Sequence, residues 1–227
     1  MSSSVLYTEA FDYECRDCGF CVKSEAAPVS CPVCGSGAVF ICDAALSPLR
    51  DFVSGAMVEV PDNEFWVAKV LVTQMVWRLI MCSNPSRFKG DELPVETVSQ
   101  KDCMDFISRL NGHEIADKSG YVFRLPTSDE WTTFARRGRR KFCNVAWTWD
   151  DSELMTHPVA AKSPNPLGLY DLWGNVWEWC SDVDANGAIC RGGCWCCDED
   201  GCKLEERWPV DTRRSFIGLR LCAERTR

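Results

Sequence analysis

The chain has 227 residues, of which 46% are hydrophobic and 26% charged, and its formal net charge is −8 at pH 7. This composition is typical of a globular protein with one sizeable core and a small appendage. The acidic balance argues against a nucleic-acid partner, because phosphate binding requires surplus Lys and Arg. No secretory signal and no apolar run of about 18 residues is apparent, so no membrane span is predicted. We therefore expect a cytoplasmic protein whose 16 cysteines are reduced or bound to metal.

Two pairs of closely spaced cysteines occupy the first part of the chain. Cys15 and Cys18 form one Cys-x-x-Cys pair, and Cys31 and Cys34 form another after an intervening twelve residues. Two such pairs supply the four sulfur ligands of a closed structural zinc site. The sequence therefore predicts a zinc ribbon over residues 1–45, stabilised by its metal because so short a segment cannot bury a core. We expect this domain to dock on a protein partner or to act as a structural cap.

From residue 46 to residue 227 the pattern is that of a mixed α+β domain. Residues 64–72 are predicted to form a buried strand. Three helices are predicted where a capping residue precedes apolar residues at helical spacing, and these capping residues are Thr73, Ser99 and Thr127. After residue 140, short strands alternate with turns rich in Gly, Asn and Pro, and no further helix is predicted.

Seven segments of this second domain resemble the formylglycine-generating enzymes, also called sulfatase-modifying factors. In chain order they are VTQMVW at 72–77, NPSRFKG at 84–90, PVETVS at 94–99, RLPTSDEW at 124–131, HPVAAKSPNPLGLYDLWGNVWEW at 157–179, RGGCW at 191–195 and FIGLRL at 216–221. The resemblance implies a C-type-lectin-like fold with little regular secondary structure, preceded here by the zinc ribbon. The ten tryptophans are compatible with it, because large indole rings can fill a core that has few regular elements.

The segment DLWGNVWEW, at 171–179, offers ligands for a hard cation. Calcium is bound by carboxylates and backbone carbonyls that a loop gathers together. The resemblance implies a candidate calcium site formed by Asp171, Glu178 and the backbone groups of Gly174 and Val176. In the alternative, Glu178 pairs with an arginine and Asn175 stabilises the turn.

Four cysteines lie within the stretch RGGCWCCDEDGC, at 191–202. The resemblance aligns Cys197 and Cys202 with the two catalytic cysteines that bind copper in the enzymes, where oxygen is activated to oxidise a substrate cysteine. Soft thiolates select Cu(I), so a copper-dependent formylglycine-generating oxidase is one hypothesis. Against it, Cys194, Asp198 and Gly201 stand where the enzymes have Ser, His and Tyr. Nearby acids are also expected to raise the thiol pKa values and so to reduce reactivity.

A second branch of the same fold fits the C-terminal part of the sequence better. In ligand-binding proteins that are diversified by retroelements, the variable region lies at the C terminus between RGGSW and IGFRL motifs. Here RGGCW begins at Arg191 and IGLRL ends at Leu221. Binding residues are expected on irregular segments held by a stiff core, and the partner is an unidentified protein or small molecule. The predicted ligand-binding residues are Trp195, Cys196, Cys197, Asp198, Asp200, Gly201, Arg214, Ser215 and Phe216.

A third interpretation of the cysteine-rich stretch is purely structural. A second zinc ion could be bound by Cys190, Cys194, Cys196, Cys197 and Cys202, since soft ligands at close spacing suit zinc. The adjacent Cys196 and Cys197 are not expected to point at one metal, which weakens this alternative. The sequence therefore favours a recognition protein over an oxidase or a second zinc site.

Overall fold

The computed structural model describes residues 11–15, 21–24, 39–41, 46–136, 141–203 and 205–226. The chain divides into two compact units, Met1–Arg50 and Asp51–Arg227. In the first unit, β1 (Phe11–Cys15) lies between β2 (Cys21–Ser24) and β3 (Val39–Ile41), and both pairings are antiparallel.

The predicted zinc site falls almost entirely outside the residues that the structure describes. Cys15 is the last residue of β1, but Cys18, Cys31 and Cys34 lie outside the described ranges. The zinc ribbon therefore stays a prediction. The first unit ends with a single helical turn, α1 (Ser47–Arg50).

The second unit contains the three predicted helices, and their N-terminal caps are confirmed. They are α2 (Gln74–Met81), α3 (Gln100–Asn111) and α5 (Ser128–Phe134), which follow Thr73, Ser99 and Thr127. A further helix, α4 (Glu114–Ser119), was not predicted, because it is short and is capped by the imidazole of His113. Within the described ranges, no helix has the length and apolar character needed to cross a bilayer.

The strands of the second unit form two four-stranded sheets and one short parallel pair. They are β4 (Met57–Glu59), β5 (Trp66–Ala68), β6 (Tyr121–Arg124), β7 (Ala146–Trp147), β8 (Trp173–Gly174), β9 (Trp177–Asp184), β10 (Gly187–Arg191), β11 (Glu205–Trp208), β12 (Ile217–Gly218) and β13 (Cys222–Arg225). The strand order is β4-β5-β13-β6 in the first sheet and β11-β10-β9-β12 in the second, and β7 pairs with β8. The expected α+β class is confirmed.

The C-terminal chain connects the two large sheets. It contributes β12, which runs parallel to β9, and then β13, which lies between β5 and β6. Residues 219–221 pass between these strands and are fully buried. A core of apolar side chains, including those of Val67, Trp131 and Phe134, packs in the second unit. This connection positions a buried arginine, Arg220, next to β9.

Candidate ligand-binding surface and cysteine cluster

The RGG motif anchors the start of the cysteine-rich loop. The Arg191 guanidinium donates to Ser128 Oγ from Nε, at 2.9 Å, and pairs with the Glu205 carboxylate. Gly193 has a φ of 74°, and a Cβ atom at this position would lie 2.4 Å from Cys202 Sγ. Only glycine therefore allows the backbone to approach this sulfur so closely.

Four thiols of the loop converge beside this glycine. Cys194 Sγ lies 3.2 Å from Cys196 Sγ and 3.2 Å from Cys197 Sγ. The fully buried Cys202 packs against Cys197. The adjacent Cys196 and Cys197 thus both contact Cys194. The tight turn between Cys194 and Cys197 is what brings their sulfurs together.

The sulfur positions do not fit a second zinc ion. Tetrahedral zinc with Zn–S distances near 2.3 Å holds its sulfurs roughly 3.8 Å apart, whereas the Cys194 sulfur lies 3.2 Å from two neighbours. Cys190 is buried on β10, where it pairs with Trp179 of β9 and Glu206 of β11. In the described part of the chain, no set of three or more Cys, His, Asp or Glu side chains is arranged to hold a metal.

This arrangement agrees with the oxidase hypothesis in one respect and disagrees with it in another. Cys197 and Cys202 are brought together, as the resemblance implied. However, the Cys197 sulfur also lies 3.2 Å from the Cys194 sulfur, so a substrate cysteine would have to displace Cys194. The residues present therefore do not fit a two-thiolate copper centre with a free position for a substrate thiol.

The pKa of the Cys197 thiol is lowered by hydrogen bonding with the neighbouring thiols, chiefly that of Cys194. The pKa values of the Cys194, Cys196 and Cys202 thiols are raised, by hydrogen bonding between the thiols and by burial rather than by the neighbouring acids. Their geometry gives the reason: Glu205 is paired with arginines, and the Asp200 side chain is 93% exposed and bound to Lys203.

The predicted ligand-binding residues lie at the surface in two segments. The exposed members are Asp198, Asp200 and Arg214, and the partly buried ones are Trp195, Cys196, Cys197, Gly201, Ser215 and Phe216. Trp195 joins the two segments, because its indole Nε1 donates to Ser215 O at 3.0 Å. Asp198 also has a structural role, since its Oδ1 accepts from Gly201 N at 2.7 Å and closes the turn before Cys202.

Three aromatic residues extend this surface and were not predicted to be part of it. Phe88 meets the Trp195 ring edge to face, with centroids 5.7 Å apart, and Trp208 contacts Phe216. Trp149 is 60% exposed, and its backbone N–H donates to Cys197 O at 3.0 Å. Because the sequence contains 10 tryptophans, it does not indicate which of them are exposed at this surface.

A hydrogen-bonded turn behind the loop holds it in place. Asn175, with a φ of 61°, accepts from His157 N and donates to His157 O. The Asn175 carbonyl accepts from Trp195 N at 2.9 Å, and Ser152 Oγ donates to Trp195 O at 2.7 Å. The two hydrogen bonds fix the His157 backbone against Asn175. The loop is thus attached to a stiff scaffold at Trp195.

The carboxylate of Glu178 is enclosed by protein donors. Arg220 Nε lies 3.1 Å from Glu178 Oε1 and 3.0 Å from Oε2, and Trp131 Nε1 donates to Oε2 at 2.8 Å. Both charged side chains are fully buried. This geometry favours the alternative in which Glu178 pairs with an arginine.

The other predicted calcium ligands have protein partners or packing roles. Asp171 Oδ2 accepts from Ala160 N at 2.7 Å, and burial raises the pKa of the Asp171 carboxyl. Gly174 has a φ of 73° and packs against the Trp147 carbonyl, where a Cβ atom would lie 1.9 Å away. Val176 is buried. The calcium site stays a prediction.

Comparison with known proteins agrees with this architecture. Residues 48–225 match the family model described as Sulfatase-modifying factor enzyme 1-like domain. Chaperone protein LppX of Paenibacillus barcinonensis is 28% identical over 198 residues, which cover 59% of this chain and 70% of that protein. A formylglycine-generating enzyme of Thermomonospora curvata is 29% identical over 188 residues, which cover 63% of this chain and 57% of the enzyme. The chain thus spans little more than half of that enzyme.

One solved structure extends the likeness in fold. Treponema denticola variable protein 1 superposes with a TM-score of 0.64 at 24% sequence identity, over 76% of this chain and 92% of that chain. At this identity the comparison establishes a shared fold.

Proposed function

Because residues 48–225 belong to the sulfatase-modifying factor enzyme 1-like family, we propose that this chain is a ligand-binding protein that displays a variable C-terminal surface on the family's scaffold. The observation that carries the proposal is the contrast within 191–221. Side chains at 195–201 and 214–216 are exposed or half-buried, whereas residues 192–194 and 217–221 are buried.

The constrained positions have specific physical reasons. Gly193 and Gly218 lie where a Cβ atom would come within 2.4 Å of Cys202 Sγ or of the Val95 carbonyl. Arg220 is a fully buried partner of Glu178. In contrast, the side chains of Asp200 and Arg214 extend from the surface, where substitutions usually cost less than about 0.5 kcal/mol. Such a surface can change its side chains without loss of the fold.

The likeness in fold to Treponema denticola variable protein 1 supports the same function. The ligand would be a protein or small molecule that contacts exposed acids, Arg214 and the aromatic rings of Trp149, Trp195 and Phe216. Rigid aromatic side chains beside polar ones are typical of surfaces that recognise proteins.

Sequencing the gene in many individual cells of a population tests the proposal. We expect substitutions to concentrate in codons 195–201 and 214–216, at adenine positions, while Gly193, Gly218 and Arg220 stay unchanged. Codons for the exposed Met104 and Val183 serve as matched controls, because they are also at the surface but lie outside the variable stretch. A reverse transcriptase gene and a near-copy of the 3′ end should lie at the same locus.

A copper-dependent oxidase is the second candidate, favoured by the contact between Cys197 and Cys202. The copper-loaded protein should form no aldehyde in a peptide that contains the sulfatase-type Cys-x-Pro-x-Arg motif, as measured by mass spectrometry. Turnover that is lost in the Cys202→Ser variant, together with uniform variation along the gene, would contradict the recognition proposal.

A further inference from the structure

The turn from Cys194 to Cys197 brings the sulfur atoms of two thiols close together. Their sulfurs lie 3.2 Å apart, and Cys197 N donates to Cys194 O at 3.0 Å. A four-residue turn closed by this hydrogen bond keeps its outer Cα atoms within about 7 Å. Disulfides join Cα atoms about 4.4–6.8 Å apart. The backbone therefore holds this pair at a separation that a disulfide can span.

The two cysteines differ in access. Cys194 is 1% exposed, whereas Cys197 is partly exposed and lies next to the solvent-facing Asp198. An incoming reagent therefore reaches the Cys197 sulfur first, and Cys194 is positioned behind it to complete the exchange. An accessible attacking thiol with a second thiol beside it is the arrangement that two-step thiol–disulfide exchange uses.

We propose that Cys194 and Cys197 form a thiol–disulfide exchange site that takes low-molecular-weight disulfides as its substrate class. This inference does not depend on the proposed recognition function. In the first step the Cys197 thiolate attacks one sulfur of the substrate disulfide, which forms a mixed disulfide and releases one thiolate. The Cys194 thiol then loses its proton and attacks the Cys197 sulfur, which releases the second thiolate. The two protein thiols are oxidised by two electrons, the substrate is reduced to two thiols, and the two protons pass to the released thiolates.

The other two cysteines of the cluster are less suited to the second step. Cys202 is buried against the backbone of Gly193 and packs with Phe142 and Ala146, and its backbone N–H donates to Asp198 O rather than to Cys197. Cys196 is separated from Cys194 by one residue and lacks the hydrogen-bonded turn that joins Cys194 to Cys197. The pair Cys194–Cys197 is therefore the expected product.

Peptide mapping of the full chain tests this assignment. The reduced protein is treated with oxidised glutathione, its free thiols are alkylated, and it is digested with trypsin. Cleavage after Arg191 and Lys203 yields residues 192–203, which contain all four cysteines in one peptide. We expect this peptide to lose two hydrogens, with alkyl groups on Cys196 and Cys202 only.

Variants separate the roles of the individual thiols. Cys202→Ser should retain the disulfide and Cys197→Ser should abolish it. Cys194→Ser, which restores the family's RGGSW motif, should leave glutathione attached to Cys197. Cys82→Ser, at an exposed cysteine outside the cluster, should change nothing, and a melting curve of each variant verifies that it is folded.

Three results would overturn the proposal. One is a disulfide between Cys197 and Cys202. Another is a peptide that keeps four alkylated cysteines after glutathione treatment of folded protein. The third is a freshly prepared protein whose loop thiols react only after a chelator is added, with a matching metal mass in native mass spectrometry.

Discussion

Arg220 and Glu178 are fully buried charged side chains that hold each other and the chain around them. Besides the carboxylate, the Arg220 guanidinium donates to Ala68 O at 2.9 Å and to Tyr170 O at 2.6 Å. Removal of one member of such a pair leaves the other charge buried without a partner, which costs far more than the pair contributes. This pair is therefore expected to be sensitive to substitution of either member.

Arg220→Met should lower the free energy of unfolding of the second unit by about 3–5 kcal/mol, because Glu178 would lose its counter-charge. Urea unfolding followed by tryptophan fluorescence measures this change. Arg225→Met is the matched control: Arg225 is exposed and lies over the Trp66 ring at 5.2 Å, so its loss should cost about 1 kcal/mol at most.

The same residues distinguish the ion pair from a calcium site. If Arg220 is the partner of Glu178, added calcium leaves the melting temperature of the wild-type protein unchanged. A rise in melting temperature with calcium, lost in Glu178→Gln, would show that the cation binds the folded state. Addition of calcium is preferable to chelation here, because a chelator could also remove zinc from the first unit.

At the residue scale, the sequence predicted exposure better than partnership. Asp198, Asp200 and Arg214 are exposed as expected, because charged side chains in turns are rarely buried. The partner of Glu178 was not identified, since it lies 42 residues along the chain and only the tertiary fold joins them. The signal available was Arg220 itself, a charge within the apolar run FIGLRL.

At the element scale, α5 depends on a local network that the sequence predicted in part. Thr127 Oγ1 accepts from Glu130 N, and Glu130 Oε2 accepts from Thr127 N at 2.8 Å. Arg124 joins this capping box through two contacts of 2.7 Å to the same carboxylate. Burial would raise the pKa of Glu130, but the hydrogen bonds from Arg124 and Thr127 outweigh it and lower the pKa.

This lowered pKa predicts a pH dependence. A carboxyl group whose folded pKa is depressed stabilises the protein fully above its unfolded pKa, near 4.3 for Glu, and the contribution is lost as pH falls through the folded value. Glu130→Gln should therefore flatten the acid limb of a stability-against-pH curve and cost about 1 kcal/mol at pH 7. Glu224→Gln is the control, because Glu224 also binds Arg124 but is 59% exposed; an equal effect of both variants would contradict a role for the cap.

Helix starts were predictable because a cap and the three residues after it determine them. The lengths of the strands were not predictable, because a strand extends only as far as the neighbouring strand with which it pairs. The predicted strand at 64–72 shortens to Trp66–Ala68, since beyond it Val72 N donates to Leu219 O in a non-ladder contact. The converging thiols were missed for the same reason: spacing does not reveal which way Cys196 and Cys197 turn.

At the scale of the whole molecule, the proposed function requires the second unit to confine change to its C-terminal surface. Its two large sheets are connected through the residues that carry Arg220, so the stretch proposed to vary ends in buried structure. The motifs made this family predictable, since glycines and a buried arginine at fixed positions reflect close packing rather than composition. The order of strands in the sheets followed only from the structure.

The division into two units leads to the last prediction, that the first unit is stabilised by its own metal. The purified protein should carry one zinc equivalent bound by Cys15, Cys18, Cys31 and Cys34. Because metal binding supplies most of the folding free energy of so short a segment, Cys31→Ser should release the zinc and unfold residues 10–42.

The second unit has its own core and should keep its unfolding transition in this variant. Cys42→Ser is the matched control, because Cys42 lies outside the two pairs and its loss should leave the zinc bound. Metal analysis and the two melting transitions give the answer. Freshly prepared protein without zinc or iron would contradict the site, and a shift of both transitions together would mean that the two units do not fold independently.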